Sequence, residues 1–203
     1  MAYMALPILL DKNSEVLLLT CQTLKKDLES TNQYIAGCAL VTIAEISKPD
    51  MCRDLLPEVI NLISDTNPFI KRKVALSLLA ISKNCPDLIE SFSGKLEPFF
   101  TDKDHGVLIC GLELMIYLFT KVPKIIKKYR KYLDNLLTLM VNISNSSFSY
   151  SNEYDVNGIN DPFLQVKVIE IFKLYGQENK VSCEDISDAL ATVNVLNAKL
   201  LKY

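Results

Sequence analysis

The chain has 203 residues, of which 49% are hydrophobic and 23% charged, and its net charge is −2. This composition excludes an intrinsically disordered chain and provides no overall attraction to nucleic acid or to a membrane. Six glycines, eight prolines and no tryptophan, alongside abundant Leu, Ile and Lys, favour helix throughout.

Charge is unevenly distributed along the chain. Residues 1–66 carry five basic and nine acidic groups, residues 67–131 carry twelve and six, and residues 132–203 carry five and nine. The middle third is therefore basic and both ends are acidic, which predicts a local field that is screened beyond about 8–10 Å at cellular salt.

The first ten residues are apolar but end at Asp11 and contain Pro7. This run is too short to span a bilayer and lacks the basic start of a signal peptide, so we interpret it as the tail of a helix. The spacing of apolar residues then predicts helices over 14–29, 32–47, 51–63, 68–83, 88–101, 105–121, 123–143, 162–176 and 183–199.

Several of these helices have chemical start signals. Asn67 and Asp161 each precede a proline, a pairing typical of an N-cap followed by the first helical residue. Asp104 is expected to cap the helix that begins at His105, and Ser182 with Asp185 matches a capping box.

The predicted helices repeat at a fixed period. Pro49, Pro86 and Pro123 lie 37 residues apart, and small residues recur 36 residues apart at Ala39, Ala75 and Gly111. This period favours armadillo or HEAT repeats, because the tetratricopeptide pattern of Trp, Gly and Tyr is missing. The sequence predicts an all-α, armadillo/HEAT-like α-solenoid of stacked antiparallel helix pairs over 1–203, a single segment, with the small residues at close helix contacts.

A stretch without helical periodicity interrupts this pattern at about 144–160, where Ser, Asn and Tyr are frequent. We predict a loop inserted on the surface of the solenoid. It is either a solvated connector or a site of partner contact.

Residues able to perform catalysis are few. His105 is the single histidine, and its place at a helix start is typical of a capping or surface role. The sequence contains none of the HExxH, GxSxG, P-loop or GxGxxG motifs, and its six cysteines have no CxxC spacing. We expect a protein that is not an enzyme, with no cofactor or metal, and with free cysteines used as small core residues in a reducing compartment.

The candidate binding site is a basic face in the predicted helix 123–143. Lys124, Lys127, Lys128 and Lys131 share one side of an ideal helix, opposite a side formed by Ile125, Tyr129, Tyr132, Leu133, Leu136 and Leu137. The face is suited to docking an acidic protein or an anionic lipid surface, and the alternative is an ordinary solvated outer face.

Several runs resemble the trunk of the large clathrin-adaptor subunits, the adaptins, and within that family the gamma type. They are Lys25-Lys26-Asp27-Leu28, Asn32-Gln33-Tyr34, Met51-Cys52-Arg53-Asp54-Leu55, Arg72-Lys73-Val74-Ala75-Leu76, Asp104-His105-Gly106-Val107-Leu108 and, most specific, residues 154–166, YDVNGINDPFLQV. The resemblance covers nearly the whole chain and departs from the family in the Ser-rich stretch 144–151.

The resemblance implies a segment of a curved helical trunk that lacks the first repeats and the later trunk, hinge and ear. It implies sigma, beta and mu adaptor subunits as partners, recruitment by an Arf-family GTPase, and indirect association with clathrin and anionic membrane. It also implies a cytoplasmic protein that is peripheral on trans-Golgi network, endosome and clathrin-coated vesicle membranes and sorts cargo. Two other interpretations of the solenoid stay open, a transport receptor or other protein-binding scaffold and a nucleic-acid-binding solenoid, although nucleic acid is not an expected partner.

Overall fold

The computed structural model describes residues 2–9, 16–144, 152–156, 159–178, 186–187 and 190–191. Its α-helices within these ranges are α1 (Ala2–Leu9), α2 (Val16–Leu19), α3 (Cys21–Leu28), α4 (Gln33–Ile46), α5 (Pro49–Asn61), α6 (Pro68–Asn84), α7 (Ile89–Phe92), α8 (Pro98–Thr101), α9 (His105–Lys121), α10 (Lys124–Tyr129), α11 (Leu133–Ser144) and α12 (Pro162–Glu178). Short 3₁₀ segments occupy Leu62–Ser64, Pro86–Leu88, Arg130–Tyr132 and Asn152–Tyr154. The fold class is all-α, as the sequence predicts.

Chain contacts divide the molecule into two compact units, Met1–Leu114 and Met115–Tyr203. Helix α9 passes from one to the other. The single solenoid segment over 1–203 stays a prediction.

In the first unit the first helices of successive pairs pack against each other, and so do the second helices. Helix α4 packs along α6, and α3 packs along α5. The Asn67 side-chain amide donates to Gln33 Oε1 (2.6 Å), and the Ser77 hydroxyl donates to the Leu40 carbonyl (2.8 Å). Because both bonds join residues 34–37 apart in the same order, α4 and α6 run in the same direction, as the second helices of successive repeats must.

The turns that precede α6 and α9 contain the same polar contacts. The Asn67 backbone N–H donates to Asp65 Oδ1 (2.7 Å), and the Asp104 backbone N–H donates to Asp102 Oδ1 (2.8 Å). In each case the second residue then caps the next helix, with Asn67 accepting from the Phe69 N–H and Asp104 from the Val107 N–H. The 37-residue offset of Asp65 and Asp102 thus marks the same turn in two repeats.

The second unit has an antiparallel pair of two-residue strands, β1 (Asp155–Val156) and β2 (Ile159–Asn160), with Val156 opposite Ile159. They lie in the stretch 144–160, for which the sequence predicts an inserted surface loop. The Asn160 side chain donates to the Ile143 carbonyl of α11 (3.3 Å), and Asp161 caps α12 by accepting from the Leu164 N–H (3.1 Å). These bonds join the strand pair to α11 and α12. Residues 145–151 and 157–158 of the insertion lie outside the described residues.

Four predicted helices are confirmed, namely α4, α6, α9 and α12, with α9 at its predicted bounds and the others shifted by at most two residues. Helix α5 begins two residues earlier than predicted, at Pro49. The predicted helix 88–101 is wrong as a single element, because it divides into a 3₁₀ turn, α7 and α8. Pro98 would clash with the Gly94 carbonyl inside a continuous helix, so the chain turns and restarts. The predicted helix 14–29 breaks at Thr20 between α2 and α3. The predicted helix 183–199 and its Ser182–Asp185 cap lie almost wholly outside the described residues.

Small residues lie at the close contacts, as predicted. A Cβ placed on Gly111 would lie 2.5 Å from the Cβ of Phe99, and Ala39 and Ala75 are fully buried. Gly37, which the sequence analysis did not single out, makes the same kind of approach, because a Cβ added there would lie 2.5 Å from the Phe69 ring.

Candidate protein-binding surfaces

The basic face is exposed in the structure. Lys124, Lys127 and Lys128 lie on α10 and Lys131 lies in the following 3₁₀ turn, and all four side chains are solvent-exposed. Lys121 and Arg130 are exposed as well. The run 121–131 contains no acidic residue, so like charges accumulate along this surface.

The predicted apolar side is buried beneath these cations. Ile125, Tyr129, Tyr132, Leu133 and Leu136 are buried, whereas Leu137 is half-buried. Ile126, which the sequence analysis did not assign to this side, is buried too. No aromatic or aliphatic side chain between residues 124 and 132 is therefore available to enter a bilayer.

The single predicted helix 123–143 is wrong. It ends at Tyr129, passes through the 3₁₀ segment and resumes as α11. The Leu133 N–H donates to the Arg130 carbonyl, while the Tyr129 carbonyl accepts a bond from the Tyr175 hydroxyl (2.9 Å). Lys131 consequently reaches solvent from a 3₁₀ turn rather than from the fourth position of one helical stripe. Its Nζ lies 4.8 Å from the Tyr132 ring centroid.

A side chain of helix α12 contacts this segment. Besides its bond to Tyr129, Tyr175 packs its ring edge-on against Phe119 of α9, with centroids 5.5 Å apart. Both rings are buried. The segment that carries the basic face is thus joined to α12 through Tyr175, whose ring packs on Phe119.

His105 occupies a different environment from the one predicted. It is the first residue of α9 and is buried, so a surface role is wrong. The N-cap contact at this helix comes from Asp104. Within the described residues, no group of three or more His, Cys, Asp or Glu side chains is arranged to hold a metal ion.

The cysteines follow the prediction in part. Cys21, Cys52 and Cys85 are free and buried, Cys110 is half-buried and Cys38 is exposed. Burial raises the pKa of the Cys52 thiol to about 12, and burial also raises the thiol pKa values of Cys21, Cys85 and Cys110. The buried thiols therefore act as small apolar side chains. Cys183 lies outside the described residues.

A half-buried ion pair joins two repeats. Lys71 Nζ lies 2.7 Å from Asp102 Oδ2, and both side chains are largely shielded from solvent. Burial by itself would raise the pKa of Asp102, but hydrogen bonds from Lys71 and from the Asp104 backbone N–H outweigh it and lower the pKa. Of the three consecutive basic residues 71–73, Lys71 therefore makes a structural contact.

Comparison with known proteins identifies the family of the chain. A family model described as the Adaptin N terminal region matches residues 1–199. The chain belongs to the adaptin family. The stacked helix pairs of the first unit are accordingly part of an adaptin's helical repeat region.

Several relatives of this adaptin segment are gamma subunits of the AP-1 complex. It is 37% identical to AP-1 complex subunit gamma-1 of Mycosarcoma maydis over 193 residues, which is 95% of this chain and 22% of that protein. It is 38% identical to AP-1 complex subunit gamma-1 of Arabidopsis thaliana over 192 residues, 94% of this chain and 22% of that protein. It is 29% identical to the human AP-1 complex subunit gamma-like 2 over 191 residues, 94% of this chain and 24% of that protein. The chain thus spans less than a quarter of the length of these relatives.

In the described part of the segment, no helix is both long and apolar enough to cross a bilayer.

Proposed function

We propose that the chain is a non-enzymatic scaffold segment in the large subunit of an AP-1-type clathrin adaptor. The observation that carries this proposal is the alignment of about 95% of the chain with gamma subunits, together with the family match over residues 1–199. In this role the stacked helix pairs provide rigid surfaces that hold other proteins, and the segment performs no chemistry of its own.

The partners that follow from this assignment are the sigma, beta and mu subunits of the adaptor core. Recruitment depends on an Arf-family GTPase, and clathrin and anionic membrane are reached through the assembled complex. The protein is then a peripheral coat component on trans-Golgi network, endosome and clathrin-coated vesicle membranes, where it takes part in cargo sorting.

Co-expression with a sigma subunit tests the assignment. The segment should be studied within its full-length large subunit, since it spans less than a quarter of its relatives' length. Co-purification with sigma, in preference to the small subunits of other adaptor complexes, is the expected result. A full-length subunit that is folded but neither binds sigma nor changes its solubility would refute the proposal.

Within this role, the basic face docks an acidic surface during membrane recruitment. Its support is the accumulation of exposed Lys124, Lys127, Lys128 and Lys131 on a buried aromatic base. Each cation close to an anionic membrane contributes about 1 kcal/mol. Four of them favour the surface by about 4 kcal/mol, which corresponds to roughly a thousandfold gain in local concentration and still requires other anchors for stable attachment.

Charge reversal tests the basic face. Lys127→Glu combined with Lys131→Glu should weaken recruitment of the assembled adaptor to Arf-loaded anionic vesicles without unfolding the segment. The matched control is Lys26→Glu with Lys95→Glu, because both lysines are exposed, lie outside the face and change the net charge equally. Equal recruitment by the two double variants would show that the four lysines form an ordinary solvated outer face.

A further inference from the structure

An open apolar groove runs along α4 in the unit Met1–Leu114. Its floor is the exposed side of α4, where Tyr34, Cys38, Val41 and Glu45 follow one another at helical spacing. Helix α1 forms one wall with Met4, Pro7 and Ile8, and α6 forms the other with Phe69 and Lys73. The cavity volume is about 570 Å³. We refer to it as the α4 groove.

The apolar lining of the α4 groove is strongly exposed. Ile8 is 82% exposed, Met4 69% and Tyr34 66%. Single exposed apolar residues are ordinary, but a contiguous patch on three neighbouring helices marks an interaction surface. Leu76 on α6 is exposed to 43% but does not line the groove.

Few polar groups of the α4 groove are left for an occupant. The Tyr3 hydroxyl donates to Asp27, and the Thr42 hydroxyl donates to the Cys38 carbonyl (2.9 Å). Within the part of the chain that the structure describes, Lys73 and Glu45 form no salt bridge. An occupant therefore meets an apolar trough with one cation and one anion along it.

The two charges, Lys73 on α6 and Glu45 on α4, lie at different levels along the axis of α4. Lys73 Nζ lies 5.7 Å from the Phe69 ring centroid, and that ring packs on Gly37 in the first half of α4. Glu45 lies in the last turn of the helix. The groove thus has a direction, with its positive end near the start of α4 and its negative end near the finish.

We propose that the α4 groove binds an amphipathic helix of a partner protein, lying parallel to α4. An extended peptide would press its backbone N–H and C=O groups against apolar walls, whereas a helix satisfies these groups internally. The distance from Tyr34 to Glu45 along α4 is about 17 Å, the length of roughly three helical turns. Natural helices carry acids in the first turn and bases in the last, so a parallel helix places an acid at Lys73 and a base at Glu45.

This inference does not rest on the basic face, which belongs to residues 121–131. It adds a second surface and specifies its occupant by apolar stripe, helical length and charge order. A second copy of the chain is a different occupant, and the test below separates the two.

The test uses the whole 203-residue chain and a synthetic probe. The probe is a fluorescent peptide of about 14 residues with leucines at helical spacing, Glu in its first turn and Lys in its last. Val41→Lys places a charge in the groove floor and should weaken binding about tenfold. Leu76→Lys places the same charge on a similarly exposed aliphatic site outside the groove and should change binding less than about twofold.

The direction of binding is tested by charge exchange. Lys73→Glu should weaken binding of this peptide about threefold, as expected for an exposed ion pair. A twin peptide with Lys instead of Glu in the first turn should bind the Lys73→Glu chain better than the wild-type chain. An indifferent twin would refute the parallel orientation.

Other results would overturn the proposal itself. One is an absence of saturable binding to a wild-type chain whose circular dichroism shows a folded helical protein. Another is equal weakening by Val41→Lys and Leu76→Lys. A dimer in sedimentation that Val41→Lys disrupts and Leu76→Lys preserves would assign the α4 groove to a second copy of the chain.

Discussion

The Tyr175 hydroxyl of α12 donates a hydrogen bond to the main-chain carbonyl of Tyr129, 2.9 Å away and 46 residues earlier in the sequence. Tyr129 is the last residue of α10, and from there the backbone continues as a 3₁₀ turn whose next bond joins the Leu133 N–H to the Arg130 carbonyl. The α12 side chain thus occupies the carbonyl at the point where the lysine-bearing segment leaves α-helical geometry.

Tyr175→Phe should remove this hydrogen bond and preserve the ring packing against Phe119. We expect a loss of about 1–2 kcal/mol in the free energy of unfolding, because a buried carbonyl loses its side-chain donor. Hydrogen exchange should accelerate at the backbone N–H groups of residues 130–133. Urea unfolding and exchange mass spectrometry measure the two effects.

The control for this substitution is Tyr34→Phe. The Tyr34 side chain is 66% exposed, and its hydroxyl has no hydrogen bond within the described residues. The free energy of unfolding of the Tyr34→Phe variant should equal that of the wild-type chain. An equal loss in both variants would show that the Tyr175 hydroxyl contributes nothing specific.

Local sequence signals predicted the helices whose starts are chemically marked. Asn67, Asp104 and Asp161 cap α6, α9 and α12 as expected, because capping depends only on residues two or three positions away. The 36–37-residue period likewise predicted which small residues lie at close contacts, because stacked repeats place equivalent positions side by side.

The candidate sites were less accessible from the sequence. The break after Tyr129 depends on a donor 46 residues away, and periodicity through 123–143 contains no sign of it. The α4 groove depends on how α1 and α6 flank α4, and the sequence of each helix alone does not show which helices lie side by side. The burial of His105 is a tertiary effect of the same kind. Exposure of the four lysines was predictable, because a run of cations opposite apolar residues has one stable orientation.

Gly111→Ala should destabilise the first unit although alanine is the better helix former. A Cβ at this position would lie 2.5 Å from the Cβ of Phe99, an atom fixed directly to the backbone. Overpacking of this kind costs about 1–3 kcal/mol, against a gain in helix propensity of about 1 kcal/mol. The net effect is a lower melting temperature, measurable by circular dichroism.

Gly106→Ala on the same helix is the matched comparison. A Cβ there would lie 2.8 Å from Cδ of Arg72, on a long side chain that can move aside. We expect unchanged or slightly raised stability from the propensity gain. A stable Gly111→Ala variant would show that α9 and Phe99 can separate at little cost.

The Lys71–Asp102 pair makes the first unit sensitive to acid. The pKa of Asp102 is lowered in the folded chain, so the folded state binds its proton less readily than the unfolded chain. The stabilisation is present above the pKa of an unfolded aspartate, about 3.9, and is lost as the pH falls through the lower folded value. Asp102→Asn should therefore reduce stability at neutral pH, and the difference from wild type should shrink in acid.

Urea unfolding at several pH values measures this difference. Asp87→Asn serves for comparison, because the Asp87–Arg53 pair (3.1 Å) is more than half exposed on both sides. Exposed pairs contribute less than about 1 kcal/mol, so the comparison variant should lose little stability at neutral pH. A constant gap between Asp102→Asn and wild type from neutral pH into acid would contradict the assigned linkage.

Thiol alkylation should distinguish the cysteines by their surroundings. Cys38 is exposed on the floor of the α4 groove, whereas Cys52 and Cys85 are buried and burial raises their thiol pKa values, that of Cys52 to about 12. Only the thiolate reacts, so at about pH 8 iodoacetamide should modify Cys38 first, Cys110 more slowly, and Cys21, Cys52 and Cys85 only when the chain unfolds. Peptide mapping by mass spectrometry measures the modification of each cysteine separately.

In guanidinium chloride these five thiols should react at similar rates. Rapid labelling of Cys52 in the native chain would show that α5 opens on the timescale of the reaction. A probe peptide bound in the α4 groove should slow the alkylation of Cys38 and leave that of Cys110 unaffected, because Cys38 is the one cysteine among the described residues that lines the groove.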